Sequence, residues 1–163
     1  MKIVSNTGPI IGLAKVDQLF LLKNVASEVL IPPMVYRELL GKVGTESERI
    51  DRAFNGFLHV TDLNPLEPAT EVAISGLDEG ERQAIGLAST LKGDVLLLLD
   101  DRAGREVSEK LNIPTIGLIG LLLLAKEKGI LENIGSLVDD LRTRGYWLSD
   151  EVAEVAKRLA GEK

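Results

Sequence analysis

The chain has 163 residues, 45% of them hydrophobic, with no cysteine and a single histidine. That composition suits one packed domain over residues 1–163 and is too apolar for a disordered chain. It excludes a disulfide scaffold, thiolate zinc sites, cysteine nucleophiles and His-rich metal clusters, and the formal net charge of -6 at pH 7 counts against a high-affinity, non-specific nucleic-acid coat, which needs Lys and Arg to neutralise phosphates.

The chain opens directly on a short strand, Lys2 to Ser5. No apolar stretch with a cleavage site precedes it, so no secretory signal is expected and the cytoplasm is the expected compartment. Pro9 suits the start of a helix filled by Ile10, Ile11, Leu13 and Ala14. Glu28 to Ile31 reads as a second strand, and Pro32-Pro33 starts a helix carrying Val35, Leu39 and Leu40. Glu46 to Phe54 reads as a further helix and Phe57 to Thr61 as a short strand around His59, which is taken as structural or exposed.

Apolar residues recur at helical spacing from Asp78 to Leu91. Val95 to Leu99 is an unbroken aliphatic run ending in Asp100-Asp101, the mark of a parallel strand buried on both faces. A helix over Asp101 to Leu111, a strand over Pro114 to Gly117 and a very apolar helix over Leu118 to Lys128 follow. The apolar run from Ile116 to Ala125 is about half the ~20 residues of a membrane span, so it is read as a buried helix. Helices around Leu137 and Val152 close the chain, and Asp139-Asp140 is read as surface. Alternating strands and helices predict an α/β fold, a three-layer α/β/α sandwich around a central parallel sheet. Ligands of such sheets bind beyond the carboxyl ends of the strands.

Four places put polar groups just after a strand or early in a helix: Asn6-Thr7, Glu38, Glu81 and Asp100-Asp101. Like charges ~4 Å apart repel by roughly 4 kcal/mol at an effective dielectric near ~20, so a cluster of acids needs a cation among them. Oxygen donors without histidine or cysteine suit Mg2+ or Mn2+, whose waters supply a nucleophile and whose charge stabilises a phosphate. Each residue also has a plainer reading. Thr7 caps a helix, Asn6 turns the chain and Glu38 is solvated. Glu81, three residues after Asp78, completes a capping box. One of Asp100 and Asp101 caps the following helix, and Arg102 and Arg105 either pair with those acids or meet a phosphate.

Taken together, Ile3 to Ala14, Ile31 to Leu39, Leu77 to Ala88 and Leu98-Leu99-Asp100-Asp101-Arg102 resemble, in order, four motifs of PIN-domain proteins. Ile113 to Gly117 and Arg144 to Ser149 resemble a prokaryotic branch related to the toxin ribonucleases of toxin–antitoxin pairs. The resemblance spans nearly the whole chain. It implies an endoribonuclease dependent on Mg2+ or Mn2+, with Glu38, Glu81, Asp100 and Asp101 catalytic. The same four residues, with Asn6, are implied as metal ligands or their supports, and Thr7, Arg102 and Arg105 as contacts to the RNA substrate. It further implies an antitoxin protein as partner and a homodimer. Asn6 departs from the motif, where an aspartate is usual; an amide brings no charge, which implies weaker metal binding and weak or absent cleavage. The alternative is a degenerate PIN-like domain that binds RNA or a protein without cutting. A phosphatase-like acidic pocket is a third reading, against which Asn6 stands where a phosphoryl-accepting aspartate is needed.

Overall fold

The computed structural model describes residues 1–42 and 44–163. Five strands, β1 (Lys2–Ser5), β2 (Glu28–Ile31), β3 (Leu58–Val60), β4 (Val95–Leu98) and β5 (Thr115–Ile116), form one sheet in the order β3-β2-β1-β4-β5. Every pairing is parallel, and helices cover both faces, as the alternation of strands and helices predicts.

Strand side chains alternate between the two faces. Ile3, Val29, Ile31 and Leu98 enter a larger core with α1 (Thr7–Lys15), α2 (Phe20–Val25), α3 (Pro33–Leu40), α4 (Thr45–Phe54), α8 (Leu118–Glu127), α9 (Gly135–Thr143) and α10 (Asp150–Leu159). Val4, Leu30, Leu97 and Leu99 enter a smaller core with α5 (Pro68–Ile74), α6 (Glu79–Thr90) and α7 (Arg102–Lys110). Leu118, Leu121, Leu122 and Ala125 of α8 are fully buried, each leucine worth roughly 1.5–3 kcal/mol relative to exposure. The apolar run is therefore a core helix, and no helix among the described residues is long and apolar enough to cross a membrane.

Several expectations needed correction. Helix α1 begins at Thr7, two residues before Pro9, because Asn6 takes the extended N-cap conformation; Pro9 sits within the first turn, where its missing N–H is not needed. The helices α2 and α5 were not anticipated. Each is short, six and seven residues, below the length at which helical periodicity stands out. The third strand shrinks to Leu58–Val60 and the fifth to Thr115–Ile116, with His59 exposed on the edge. Asp139 and Asp140 do lie on α9's outer side, ion-paired with Lys157 and Arg144.

The strand order places the site. The chain runs outward from β1 to β2 and β3, then returns to the other side of β1 to lay down β4 and β5. The carboxyl ends of β1 and β4 thus flank the point where the winding reverses, where such sheets open a crevice. Ser5 is in register with Leu98, and the Asn6 N–H donates to the Leu98 carbonyl at 3.0 Å. Asn6-Thr7 and Asp100-Asp101 consequently emerge side by side.

Candidate active site

Asn6 stands at the N-cap position of α1, yet its side chain makes no cap bond; its amide oxygen is instead directed towards Gly80 of α6. Ser5, fully buried, donates its hydroxyl to the Asn6 carbonyl at 3.0 Å and holds the turn. The Thr7 hydroxyl does not cap α1. It is buried without a hydrogen-bond partner, a cost of roughly 1–3 kcal/mol that a ligand oxygen would relieve.

Glu38 reaches the crevice from α3, which Pro33 starts at its first position. The Met34 N–H donates to Gln83 Oε1 at 2.8 Å and ties α3 to α6. At their contact lies Gly80, in the first turn of α6. A Cβ there would collide with Glu38 Oε1 and stand 3.5 Å from Asn6 Oδ1. Glycine costs about 1 kcal/mol against alanine in a helix, and here the missing methyl leaves room for two oxygen donors from different elements.

Asp78 caps α6 by accepting the Glu81 N–H at 2.8 Å. The Glu81 carboxyl does not close the capping box. It lies beside Asp101 and is only 8% exposed. Burial, and after it the charges of Asp78 and Asp101, raise its pKa from 4.5 to about 7. Near neutrality Glu81 therefore remains partly protonated.

The two neighbouring aspartates have separate tasks. Asp101 caps α7, its Oδ2 accepting the Gly104 N–H at 2.9 Å. Asp100 turns the other way and caps α8 across the sheet, its Oδ1 accepting the Leu118 N–H at 2.7 Å. Its Oδ2 is 3.9 Å from where a Cβ on Gly8 would lie, so this carboxyl sits between the starts of α1 and α8. Crowding of the carboxyl raises the pKa of Asp100, against the lowering effects of the Leu118 N–H and of Arg105. Arg105 approaches the same spot: a Cβ on Gly117 would lie 2.8 Å from Asp100 Oδ1 and 3.2 Å from an Arg105 guanidinium nitrogen. Arg102 points away, 91% exposed and paired with Glu106 at 3.4 Å.

The sequence-predicted residues thus occupy three adjoining stations: Asn6 with Glu38 around Gly80, Glu81 with Asp101, and Asp100 with Arg105. Among the described residues, no group of three acidic or histidine side chains is already drawn together to hold an ion. The donor chemistry nonetheless fits a hard divalent cation, since amide, carboxylate and hydroxyl oxygens are the groups present, one of them a buried hydroxyl without a partner. Gly80 and Gly117 fall within the motif-like stretches, but their sequence context assigns neither a role; the structure places their missing side chains beside Glu38 and Asp100. The available signal was a glycine inside the first turn of an otherwise regular helix, directly before Glu81.

The fold is a parallel α/β/α sandwich with acidic residues placed at its winding reversal. The family model described as a PIN domain matches residues 2–162, and the chain belongs to that family. Such domains are generally nucleases, hence hydrolases acting on nucleic acid, and typically use divalent metals. No curated protein sequence matches the chain.

Proposed function

We propose that the chain is a divalent-metal-dependent endoribonuclease acting at the crevice between β1 and β4. The observation that carries the reading is Gly80, whose missing side chain gives Glu38 and Asn6 room to meet at the winding reversal. Asn6, Glu38 and Asp101 would hold a Mg2+ or Mn2+ ion, with Glu81 and Asp100 supporting them. Such an ion supplies charge stabilisation to a phosphodiester and lowers the pKa of water.

The chain's own groups do the rest. Glu81, with a pKa of about 7, is poised to take a proton from an attacking water. The unpartnered Thr7 hydroxyl is available to donate to a phosphate oxygen. Arg105, beside Asp100, offers a cation to the phosphate backbone. A toxin role, with an antitoxin partner, a homodimer and a cytoplasmic setting, belongs to the same proposal.

Glu38→Gln and Glu81→Gln should each abolish RNA cleavage in Mn2+. Asp101→Asn should do so with the fold intact, because asparagine caps helices as well as aspartate does. Cleavage that survives Glu38→Gln, or that persists with the metal chelated, refutes the assignment. The neutral amide of Asn6 favours a second reading, a domain that binds RNA without cutting it. RNA binding without cleavage in either metal would establish that alternative.

A further inference from the structure

Beside the acidic crevice lies a second concavity of about 510 Å³, lined among others by Asp100, Arg105, Glu109, Leu118, Tyr146 and Trp147. Asp100 belongs to both, so the concavity opens directly off the candidate active site. Its far wall is the segment between α9 and α10. Tyr146 anchors that segment: a Cβ on Gly12 of α1 would lie 2.9 Å from the Tyr146 ring and 2.7 Å from Leu118, so the ring packs flush against the helix that carries Asn6-Thr7. The Tyr146 N–H also donates to the Leu141 carbonyl at 2.9 Å. The adjoining Trp147 is left 84% exposed. Val152, 41% exposed, lines the same concavity, and exposed apolar residues gathered at one concavity mark a binding surface where a lone one would not.

The lining chooses among parts of a nucleotide. Asp100 and Glu109 are carboxylates and disfavour a phosphate inside the concavity. Trp147 offers a stacking face and Leu118 an apolar floor, which suit a base, and Arg105 at the rim suits the backbone leading to it.

We propose that this concavity binds an unpaired base of single-stranded RNA flanking the scissile phosphate, with Trp147 as its stacking platform. This rests on the nuclease reading above and adds to it a base-binding subsite, one with little preference for sequence because every base has a stacking face. A duplex keeps its bases stacked on one another and cannot deliver one to Trp147.

Trp147 is the only tryptophan of the chain, so its fluorescence reports on this concavity alone. The full-length chain is titrated with a short oligouridylate under chelation, binding being followed independently by anisotropy of a label on the RNA. Binding should quench Trp147, and an oligomer of the same length with abasic riboses should bind more weakly without quenching. Trp147→Ala should weaken oligouridylate binding about tenfold, and Trp147→Phe should recover most of that loss. RNA binding that leaves the emission unchanged, equal binding of the abasic oligomer, or no RNA binding at all overturns the proposal. So does an emission change on raising the protein concentration alone, which would show a second copy covering Trp147. Failure of the nuclease reading is read separately, as quenching by RNA that Mn2+ never causes to be cut.

Discussion

Asn6→Asp changes one atom of the candidate site and adds one charge to it. A Cβ at Gly80 would touch Glu38 Oε1 and stand 3.5 Å from Asn6 Oδ1, which puts the two oxygens at most about 6 Å apart; like charges at that distance repel by ~3 kcal/mol at an effective dielectric near ~20. Glu38 lies on an exposed stretch of α3, so solvent screens the repulsion and about 1 kcal/mol remains. The metal-free variant should melt ~2–4 °C below the natural chain at neutral pH. A divalent cation reverses the sign, because the new carboxylate becomes a charged ligand. Added Mn2+ should therefore raise the melting temperature of Asn6→Asp more than that of the natural chain, and any cleavage should quicken. Melting curves at several Mn2+ concentrations, each against a chelated control, measure both effects. If the variant matches the natural chain with and without metal, Asn6 and Glu38 do not share a site.

Two further substitutions separate fold from site. Gly80→Ala should stabilise α6 by up to about 1 kcal/mol while pushing the flexible end of Glu38 out of the crevice. Higher thermal stability with weaker Mn2+ binding is the expected pair of results; unaltered Mn2+ binding would remove Gly80 from the site. Glu162 is held by Lys126 at 2.8 Å and by the backbone N–H groups of Ile134 and Gly135, both at 2.9 Å, which caps α9 from a distant segment. The Lys126 hydrogen bond first, and the backbone bonds after it, lower its pKa from 4.5 to about 2. The unfolded chain takes up the proton first as pH falls, so the stabilisation is complete above pH 4.5 and fades towards pH 2. At ~1.4 kcal/mol per pH unit the full shift is worth ~3.5 kcal/mol, which solvent screening cuts to roughly 2–3 kcal/mol, so Glu162→Gln should be less stable at pH 7 and the gap should close in acid. A gap of the same size at pH 3 in denaturant titrations would contradict the role given to Glu162.

The alternation of strand and helix was legible because burial leaves periodic traces. Val95 to Leu99 reads as a strand covered on both faces by its shortness and the aspartates that end it, and Leu118 to Ala125 as a core helix by its length and apolarity. Pro33 and Asp78 marked helix starts for reasons confined to a few neighbouring residues. Glu81 and the Asp100-Asp101 pair were also visible, because one opens a helix and the other follows a strand, whereas Glu38, in the last turn of α3, stood out only through the motif its surroundings resemble.

Their division of labour was not legible. Asp100 and Asp101 are chemically identical neighbours, and both were plausible caps for the next helix. Only the fold turns Asp100 towards the Leu118 N–H, eighteen positions on, and leaves Asp101 to cap α7 and meet Glu81. Spacing made Glu81 half of a local capping box, whereas its carboxyl engages a partner from another element. The amino-acid order decided where strands and helices form, because those choices depend on local propensity and on which side chains escape water. Tertiary structure alone decided which carboxylate faces which, because pairings across a sheet depend on how the chain winds back on itself.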